Sequence, residues 1–228
     1  MDYILDLGLQ DYEKILKIQR ILVGMRNSGR IGDILLFLEH PDTYTAGIHR
    51  DRSALIDPKT PVIEVERGGA YTYHGPGQLV IYFIIDMKDR RINVKDLITA
   101  VEETIIGILD NYGIKAEGRL ERETGVWTNG RKICSIGFAI REFSTFHGIA
   151  LNVSTDLTKF HKISPCGFDA SVMTSMEKET GRIINMAEVK LELENALLEK
   201  LSITEYKKYE KLIDFQKEIN GLLSEPVL

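Results

Sequence analysis

Two cysteines, Cys134 and Cys166, are the strongest nucleophiles in this sequence. Proline blocks regular structure before Cys166 and glycine leaves the backbone open after it, so we predict that a loop presents this thiol. The N–H of Gly167 would then lie near a developing oxyanion. Cys134 stands among apolar residues of a predicted strand, where a free cysteine is usually a small buried hydrophobe.

A nucleophilic cysteine needs a positive neighbour that favours its thiolate, and Lys132 is the first candidate. Alternation along the predicted strand puts one row of side chains on the same face: Lys132, Cys134, Ile136, Phe138 and Ile140. The lysine heads this otherwise apolar row, so it either extends its ammonium to solvent or is partly desolvated. Alternation leaves both Cys134 and Cys166 open as its partner.

A glycine-rich stretch at residues 67–78, RGGAYTYHGPGQ, is a second candidate site. Glycines let backbone N–H groups approach a ligand closely, and Arg67 and His74 are able to hold a carboxylate, carbonyl or phosphate. The same glycines suit a tight hairpin connection equally well. The spacing matches neither a Walker loop nor a dinucleotide fingerprint.

Five histidines complete the candidate chemistry: His40, His49, His74, His147 and His161. No pair of them has a metal-binding spacing, so we predict no metal site. His147 opens a predicted strand, where a core histidine with satisfied hydrogen bonds is the commoner role. A Cys–His pair is the alternative, with His74 or His147 folded next to Cys166.

The composition is that of an ordinary globular protein, with 228 residues, 43% hydrophobic and 28% charged. A net charge of −5 disfavours a protein that binds broadly along nucleic acid. The longest apolar run, residues 79–85, is too short to span a bilayer, and the first residues do not resemble a signal peptide. We therefore expect a cytoplasmic protein with no nucleic-acid partner and no membrane partner.

The elements that must position these residues are strands and helices without strict alternation. Apolar spacing predicts helices over residues 11–26 and 94–109, and Asn129-Gly130 predicts a hairpin between two strands. After residue 183, leucine, glutamate and lysine dominate and predict two helices, 187–200 and 204–222. We predict an α+β fold, a mixed β-sheet flanked by helices. One domain would span 1–228, with a core of about 1–183 and a helical C-terminal extension of about 184–228.

Three stretches together carry a resemblance to a known family. They are RGGAYTYHGPGQLVIY at 67–82, GVWTNGRKICSIGFAI at 125–140 and TFHGIALNVSTDLTKFHKISPCGF at 145–168. In this order they resemble the lipoyl(octanoyl) transferases, and the match covers about residues 38–168. The resemblance implies a catalytic domain of the biotin/lipoate protein ligase-like fold. It also implies an acyltransferase without a cofactor. This enzyme would transfer an octanoyl group to the acceptor lysine of lipoyl domains through a cysteine acyl-thioester, the first step of protein lipoylation.

The resemblance also implies roles for individual residues. It assigns the acyl-accepting cysteine to Cys166 and its partner to Lys132. His147 is a further candidate for a supporting role, apart from the resemblance. The substrate-binding residues it implies are Arg67, Gly68, Gly69, Ala70, Tyr71, Thr72, Tyr73, His74, Ser135, Ile136, Gly137, Gly148, Ile149 and Ala150. The implied partners are octanoyl-acyl carrier protein as donor, and the lipoyl domains of 2-oxoacid dehydrogenases and the glycine cleavage H protein as acceptors.

Three alternatives remain. An ATP-dependent lipoate or biotin protein ligase on the same fold would form an acyl-adenylate and use no cysteine nucleophile. A module that only binds lipoyl domains or carriers would need neither Cys166 nor Lys132. A thiol oxidoreductase using Cys134 and Cys166 ranks last, because the two thiols are not in a Cys-x-x-Cys pair.

Overall fold

A computed structural model describes residues 1–120, 124–164 and 169–221. Within these ranges, the strands and helices alternate irregularly along the chain. The strands are β1 Asp2–Leu9, β2 Ile34–Glu39, β3 Thr43–Ala46, β4 Val62–Glu64, β5 Tyr71–His74, β6 Gln78–Ile84, β7 Glu117–Arg119, β8 Gly125–Thr128, β9 Arg131–Arg141, β10 Ser144–Asn152 and β11 Tyr206–Tyr209. The helices are α1 Tyr12–Asn27, α2 Met87–Arg90, α3 Val94–Asn111, α4 Met176–Thr180, α5 Met186–Lys200 and α6 Leu212–Gly221.

The main sheet has eight strands within the described residues, in the order β11-β1-β2-β6-β10-β9-β8-β7. The pairs β1–β11 and β1–β2 are parallel, and the pairs from β2 through β6, β10, β9 and β8 to β7 are antiparallel. A second sheet of three strands, β4-β3-β5, lies beside it. These mixed pairings with flanking helices confirm the predicted α+β class.

Helices cover both faces of the main sheet. On one face, α3 and α5 pack against strand side chains such as Phe83 and Ile149. On the other face, α1 and α6 pack against residues such as Leu36 and Tyr82. Strand β2 contributes to both clusters, so its continuous apolar run is buried on both sides.

Local signals define the ends of the elements nearest the cavity described below. Asn93 caps α3 in a reciprocal capping box with Asp96, as expected for a helix that begins at residue 94. Asn129 and Gly130 both have positive φ, 49° and 73°, and they join β8 to β9 in the predicted hairpin. That hairpin places β8 beside the part of β9 that carries Lys132.

The tail is not wholly helical, so the prediction of a single helix over 204–222 is wrong in its first part. Residues Tyr206–Tyr209 form β11, which pairs in parallel with β1 and extends the sheet. The open edge of β1 offers unpaired backbone groups, and pairing with them outweighs the helical spacing of these side chains. Helix α5 follows its predicted bounds closely. The division into a core and an extension near residue 183 stays a prediction.

Candidate active site

A cavity of about 810 Å³ opens where the second sheet and α3 meet strands β9 and β10. Most of the residues expected to contact substrate line it. These are Arg67, Gly68, Gly69, Ala70, Tyr71, Thr72, His74, Ser135, Ile136, Gly137, Gly148, Ile149 and Ala150, together with Lys132 and His147. The structure thus brings three segments that are distant in sequence to one wall. Their roles toward a substrate stay predictions.

Tyr73 is the exception among the expected contact residues. Its ring packs with Tyr44 and Phe160 in a separate cluster under the second sheet. Its hydroxyl donates a hydrogen bond to Asp42 at 2.7 Å. Its neighbours in β5, Tyr71, Thr72 and His74, line the cavity, whereas Tyr73 is not part of that lining. The structure therefore places Tyr73 apart from the other expected contact residues, and its role toward a substrate stays a prediction.

The glycine-rich segment packs directly onto β9. Gly68 donates its N–H to the carbonyl of Phe138 at 3.0 Å. A Cβ at Gly137 would lie 3.2 Å from the carbonyl oxygen of Gly68, so the two backbones approach closely because no side chain separates them. The segment therefore connects β4 to β5 and also forms part of the cavity wall.

Arg67 places a buried positive charge at this wall. One guanidinium nitrogen donates to the carbonyl and the hydroxyl of Thr45, at 3.1 and 2.8 Å, and the other donates to the carbonyl of Gly68. The side chain is 9% exposed, so these bonds fix its orientation. Its charge adds to burial in lowering the pKa of His74.

Lys132 lines the cavity with only 3% of its surface exposed. Its ammonium lies 5.6 Å from the centre of the Trp127 ring, and its backbone carbonyl accepts a hydrogen bond from Thr174. Gly125 leaves room for it, because a Cβ there would come within 2.7 Å of Lys132 Cε. Of the two predicted states for this lysine, the desolvated one is confirmed.

A β-bulge changes the row of side chains that alternation predicted. Val126 pairs with Cys134 and Trp127 pairs with Lys132, so Ile133 is an extra residue in β9. Ile133 and Cys134 consequently pack in the same core cluster, which strict alternation does not allow. At the far end of β9, Ile140 is 46% exposed rather than part of the apolar wall.

Of the two cysteines, only Cys134 lies within the described residues. Cys134 is fully buried, and burial raises its pKa to about 12 despite the opposing charge of Lys132. A thiol of that pKa carries almost no thiolate at neutral pH, which confirms the prediction of a buried hydrophobe. Cys166 lies outside the described residues, with its neighbours Pro165 and Gly167. Met173, seven positions after Cys166, lines the cavity, and its backbone forms a parallel β-bridge with that of Lys132.

A cluster of histidines and tyrosines closes one part of the cavity, and sequence reasoning missed its tyrosines. His40 donates from Nδ1 to the carbonyl of Gln10 at 2.7 Å, so its Nε2 accepts from the Tyr82 hydroxyl at 2.8 Å. His74 donates from Nδ1 to Gln78 and stacks on the ring of Tyr12. Burial lowers the pKa of His40 to about 4 and the pKa of His74 well below its usual value. Both imidazoles are therefore neutral at neutral pH.

His147 is buried, yet its hydrogen bonds are not satisfied as expected for a core histidine. Within the described residues, neither ring nitrogen has a hydrogen-bond partner, and Nε2 lies 3.8 Å from Glu66 Oε2. Its φ is +59°, an uncommon backbone conformation for a residue other than glycine. The neighbouring His147, then the backbone of Glu66 and the charge of Arg20, lower the pKa of Glu66 to about 2 against the opposing effect of burial. Its supporting role stays a prediction.

Two kinds of feature that would indicate other functions are not found among the described residues. In the ranges 1–120, 124–164 and 169–221, no three His, Cys, Asp or Glu side chains are grouped to hold a metal ion. None of the helices in those ranges combines the length and apolarity that a bilayer crossing requires.

Comparison with known proteins places these observations among relatives. The family model described as the lipoyl protein ligase A/B catalytic domain matches residues 11–198. A relative named probable octanoyltransferase 2, from Picrophilus torridus, is 46% identical over 222 residues, covering 97% of this chain and 88% of that protein. An octanoyltransferase from Geotalea uraniireducens is 41% identical over 187 residues, covering 82% of this chain and 87% of that protein.

Solved structures show the same fold at low sequence identity. A lipoate-protein ligase A bound with ATP superposes with a TM-score of 0.72 at 17% identity, over 92% of this chain and 89% of that one. A putative lipoate protein ligase from T. acidophilum with bound lipoic acid superposes with a TM-score of 0.70 at 16% identity, over 97% of this chain and 95% of that one. These similarities confirm the predicted biotin/lipoate protein ligase-like architecture.

Proposed function

Because the chain belongs to the lipoyl(octanoyl) transferases within the lipoyl protein ligase A/B family, we propose that it transfers octanoyl groups to the lysine of lipoyl domains. One observation of the structure supports this most strongly. The cavity gathers the residues expected at a substrate site around the buried Lys132.

The first proposed step moves the octanoyl group onto Cys166. The thiolate of Cys166 attacks the thioester carbonyl of octanoyl-acyl carrier protein, the bond from that carbonyl carbon to the carrier sulfur breaks, and the carrier thiol leaves. Lys132 as an ammonium favours the attacking thiolate and gives its proton to the leaving sulfur. One thioester replaces another, so the exchange is nearly isoenergetic and needs no ATP.

The second proposed step forms the amide. The amine of the acceptor lysine attacks the Cys166 thioester, and Lys132, now a neutral amine, accepts the proton that this attack releases. The bond to the Cys166 sulfur breaks, which restores the pair of thiolate and ammonium. Amide formation from a thioester is downhill and drives the transfer.

Apolar side chains along the cavity suit the hydrocarbon part of the substrate. Ile98, Ile136, Phe138, Ile149 and Met173 contribute to its lining. Burial of a chain in such a slot stabilises the complex by about 0.8 kcal/mol per CH₂, which is sufficient to distinguish acyl chains of different length.

The proposal includes the partners and setting of the reaction. The donor is octanoyl-acyl carrier protein, and the acceptors are the lipoyl domains of 2-oxoacid dehydrogenases and the glycine cleavage H protein. We place the reaction in the cytoplasm, in one catalytic domain over residues 1–228. The net charge of −5 fits the absence of nucleic acid from this list.

An ATP-dependent ligase is the second candidate, because the solved structures of similar fold include a lipoate-protein ligase bound with ATP. The decisive experiment incubates the enzyme with a lipoyl domain and octanoyl-acyl carrier protein, and follows the mass of the lipoyl domain. We expect octanoylation without ATP in the wild type, and none in Cys166→Ser. Octanoylation only from free octanoate and ATP, unaffected by Cys166→Ser, would assign the chain to the ligases instead.

A further inference from the structure

Two buried amides, Gln78 of β6 and Asn152 of β10, lie between His74 and strand β9. Thr174 donates its N–H to the carbonyl of Lys132 at 3.0 Å, and its own carbonyl accepts from Asn152 Nδ2 at 3.0 Å. Asn152 Oδ1 accepts from Gln78 Nε2 at 2.9 Å, and Gln78 Oε1 lies 2.9 Å from His74 Nδ1. A buried hydrogen-bond network therefore joins the strand that carries Lys132 to β5.

Backbone carbonyls fix the orientation of both amides in this network, because a carbonyl oxygen only accepts hydrogen bonds. Asn152 directs its NH₂ group at the Thr174 carbonyl, so its oxygen faces Gln78. Gln78 is anchored a second time, since its NH₂ group also donates to the Tyr73 carbonyl at 3.2 Å. The amide oxygen of Gln78 is thus left for His74, and it accepts only. Nδ1 of His74 is therefore the protonated nitrogen of the ring.

The other ring nitrogen of His74, Nε2, consequently carries a lone pair, because a neutral imidazole has a single N–H. Burial is the main cause that lowers the pKa of His74 well below its usual value, so the ring is neutral at neutral pH. The ring lines the cavity, and within the described residues Nε2 forms no hydrogen bond. The guanidinium of Arg67, at the same wall, is able only to donate. His74 thus supplies an acceptor to a group bound in the cavity.

We propose that Gln78 and Asn152 are positioning residues that fix the tautomer of His74, and that His74 Nε2 accepts a hydrogen bond from an N–H group of the substrate. This inference rests on the proposed function, because both of its substrates bring an N–H group close to the reacting carbonyl. The thioester arm of an acyl carrier has an amide N–H two carbons from its sulfur, and the acceptor lysine has its amine. A weakly basic imidazole orients this N–H without taking its proton, so proton transfer stays with Lys132.

The first measurement is the tautomer of His74 in the full-length wild type, and it needs no substrate. A long-range ¹H–¹⁵N spectrum of the histidine side chains separates protonated from unprotonated ring nitrogens. The signals of His74 are assigned by their loss in His74→Asn, and His40, whose Nδ1 donates to a backbone carbonyl, is the internal standard. We expect the Nδ1–H form of His74 alone at about pH 7. A ring that is mainly Nε2–H, or charged, would overturn the proposal.

Variants of the two amides test whether they fix this tautomer. Gln78→Met removes the acceptor of the Nδ1–H, so we expect the Nε2–H form of His74 to appear. Gln19→Met is the matched control, because Gln19 is an equally buried glutamine that accepts from the backbone N–H of His147 instead. Asn152→Ala should have a smaller effect, since the Tyr73 carbonyl still holds the Gln78 amide. An unchanged tautomer in folded Gln78→Met, or an equal change in Gln19→Met, would overturn the positioning role.

A variant that does not fold leaves the proposal open to refutation. If Gln78→Met is unfolded, the wild-type spectrum still decides the tautomer. Asn152→Ala then decides the role of the amides: a measurable Nε2–H fraction of His74 supports it, and the unchanged Nδ1–H form overturns it.

The second measurement identifies the N–H group and uses Cys166→Ser, so that no octanoyl group is transferred. Three probes are compared: S-(2-acetamidoethyl) octanethioate, its isostere S-(2-acetoxyethyl) octanethioate, which lacks the amide N–H, and a lipoyl domain with or without its acceptor lysine. An unprotonated nitrogen shifts upfield when it accepts a hydrogen bond. A shift of His74 Nε2 with the acetamido compound but not the acetoxy compound identifies the amide of the thioester arm. A shift that requires the acceptor lysine identifies its amine.

Occupancy of the cavity is followed in the same samples through the methyl signals of Ile136 and Ile149, which line it. An occupied cavity with an unshifted Nε2 of His74 for every probe would overturn the substrate contact. Probes that do not enter the cavity, together with a wild type that transfers no octanoyl group, would refute the proposed function instead. The tautomer of His74 would still judge the roles of Gln78 and Asn152.

Discussion

Substitution of Gly125 by alanine should displace Lys132 and so test whether its position controls the reaction. A Cβ at this residue would lie 2.4 Å from the carbonyl oxygen of Cys134 and 2.7 Å from Lys132 Cε. Carbon atoms in contact prefer about 3.5–4.0 Å, so the end of the lysine side chain must retreat by about 1 Å. A misplacement of about 1 Å can lower a rate by about 10²-fold.

The same substitution also has a cost in stability that can be separated from its effect on the rate. Gly125 has a φ of +143°, a conformation that is essentially restricted to glycine and costs other residues about 1–3 kcal/mol. For a domain of this size, we expect the melting temperature to fall by about 2–4 °C for each kcal/mol. The control is Gly130→Ala, because Gly130 has a φ of +73° and nothing lies within 4 Å of its added Cβ.

The assay is transfer from octanoyl-acyl carrier protein to a lipoyl domain, measured together with thermal unfolding. We expect both variants to melt below the wild type, but only Gly125→Ala to lose about 10²-fold in kcat. A folded Gly125→Ala enzyme with wild-type kcat would refute the positioning argument. An equal loss of kcat in Gly130→Ala would show that lowered stability alone is responsible.

Three other predictions follow from burial and cavity shape. Cys134→Ala should retain octanoyl transfer within about twofold. In the native wild type, Cys134 should resist iodoacetamide at pH 8, because burial raises its pKa to about 12. Rapid alkylation of native Cys134 would contradict its burial. Burial lowers the pKa of His40 to about 4, so protonation favours the unfolded chain, whose histidine titrates near 6.5. The stabilising contribution of His40 is therefore full above about pH 6.5 and is lost as the pH falls toward 4. We expect the free energy of urea unfolding to fall by about 2 kcal/mol between pH 7 and pH 5. A free energy of unfolding that stays constant over this range would refute the assignment of His40 as neutral. Phe138→Ala should lengthen the acyl slot and raise the kcat/KM for a decanoyl donor relative to an octanoyl donor by up to about tenfold. Ile140→Ala, which lies outside the cavity, should leave this ratio unchanged. An unchanged ratio in Phe138→Ala would show that this ring does not line the slot.

Much of the fold was predictable because local signals and tertiary packing agree. The stripe of apolar residues in α3 is the buried one, and Asn93 caps it where the sequence indicates. Asn129-Gly130 adopts the two positive φ angles that a tight hairpin requires. The apolar run of β2 is buried on both faces. In each case, the local preference and the tertiary packing favour the same structure.

The remaining features depend on partners that a single sequence does not reveal. β11 forms because the edge of β1 accepts it, although its residues have helical spacing in the sequence. The bulge at Ile133 arises from the pairing of β8 with β9, and alternation alone cannot locate an extra residue.

The central claim is that Cys166 carries the octanoyl group during transfer. Its most direct test is the intact mass of the enzyme after incubation with octanoyl-acyl carrier protein in the absence of ATP. We predict a gain of one octanoyl group in the wild type and in Cys134→Ser, and no gain in Cys166→Ser. An adduct that persists in Cys166→Ser, or enzyme that gains no mass while octanoate is activated only with ATP, would contradict the account.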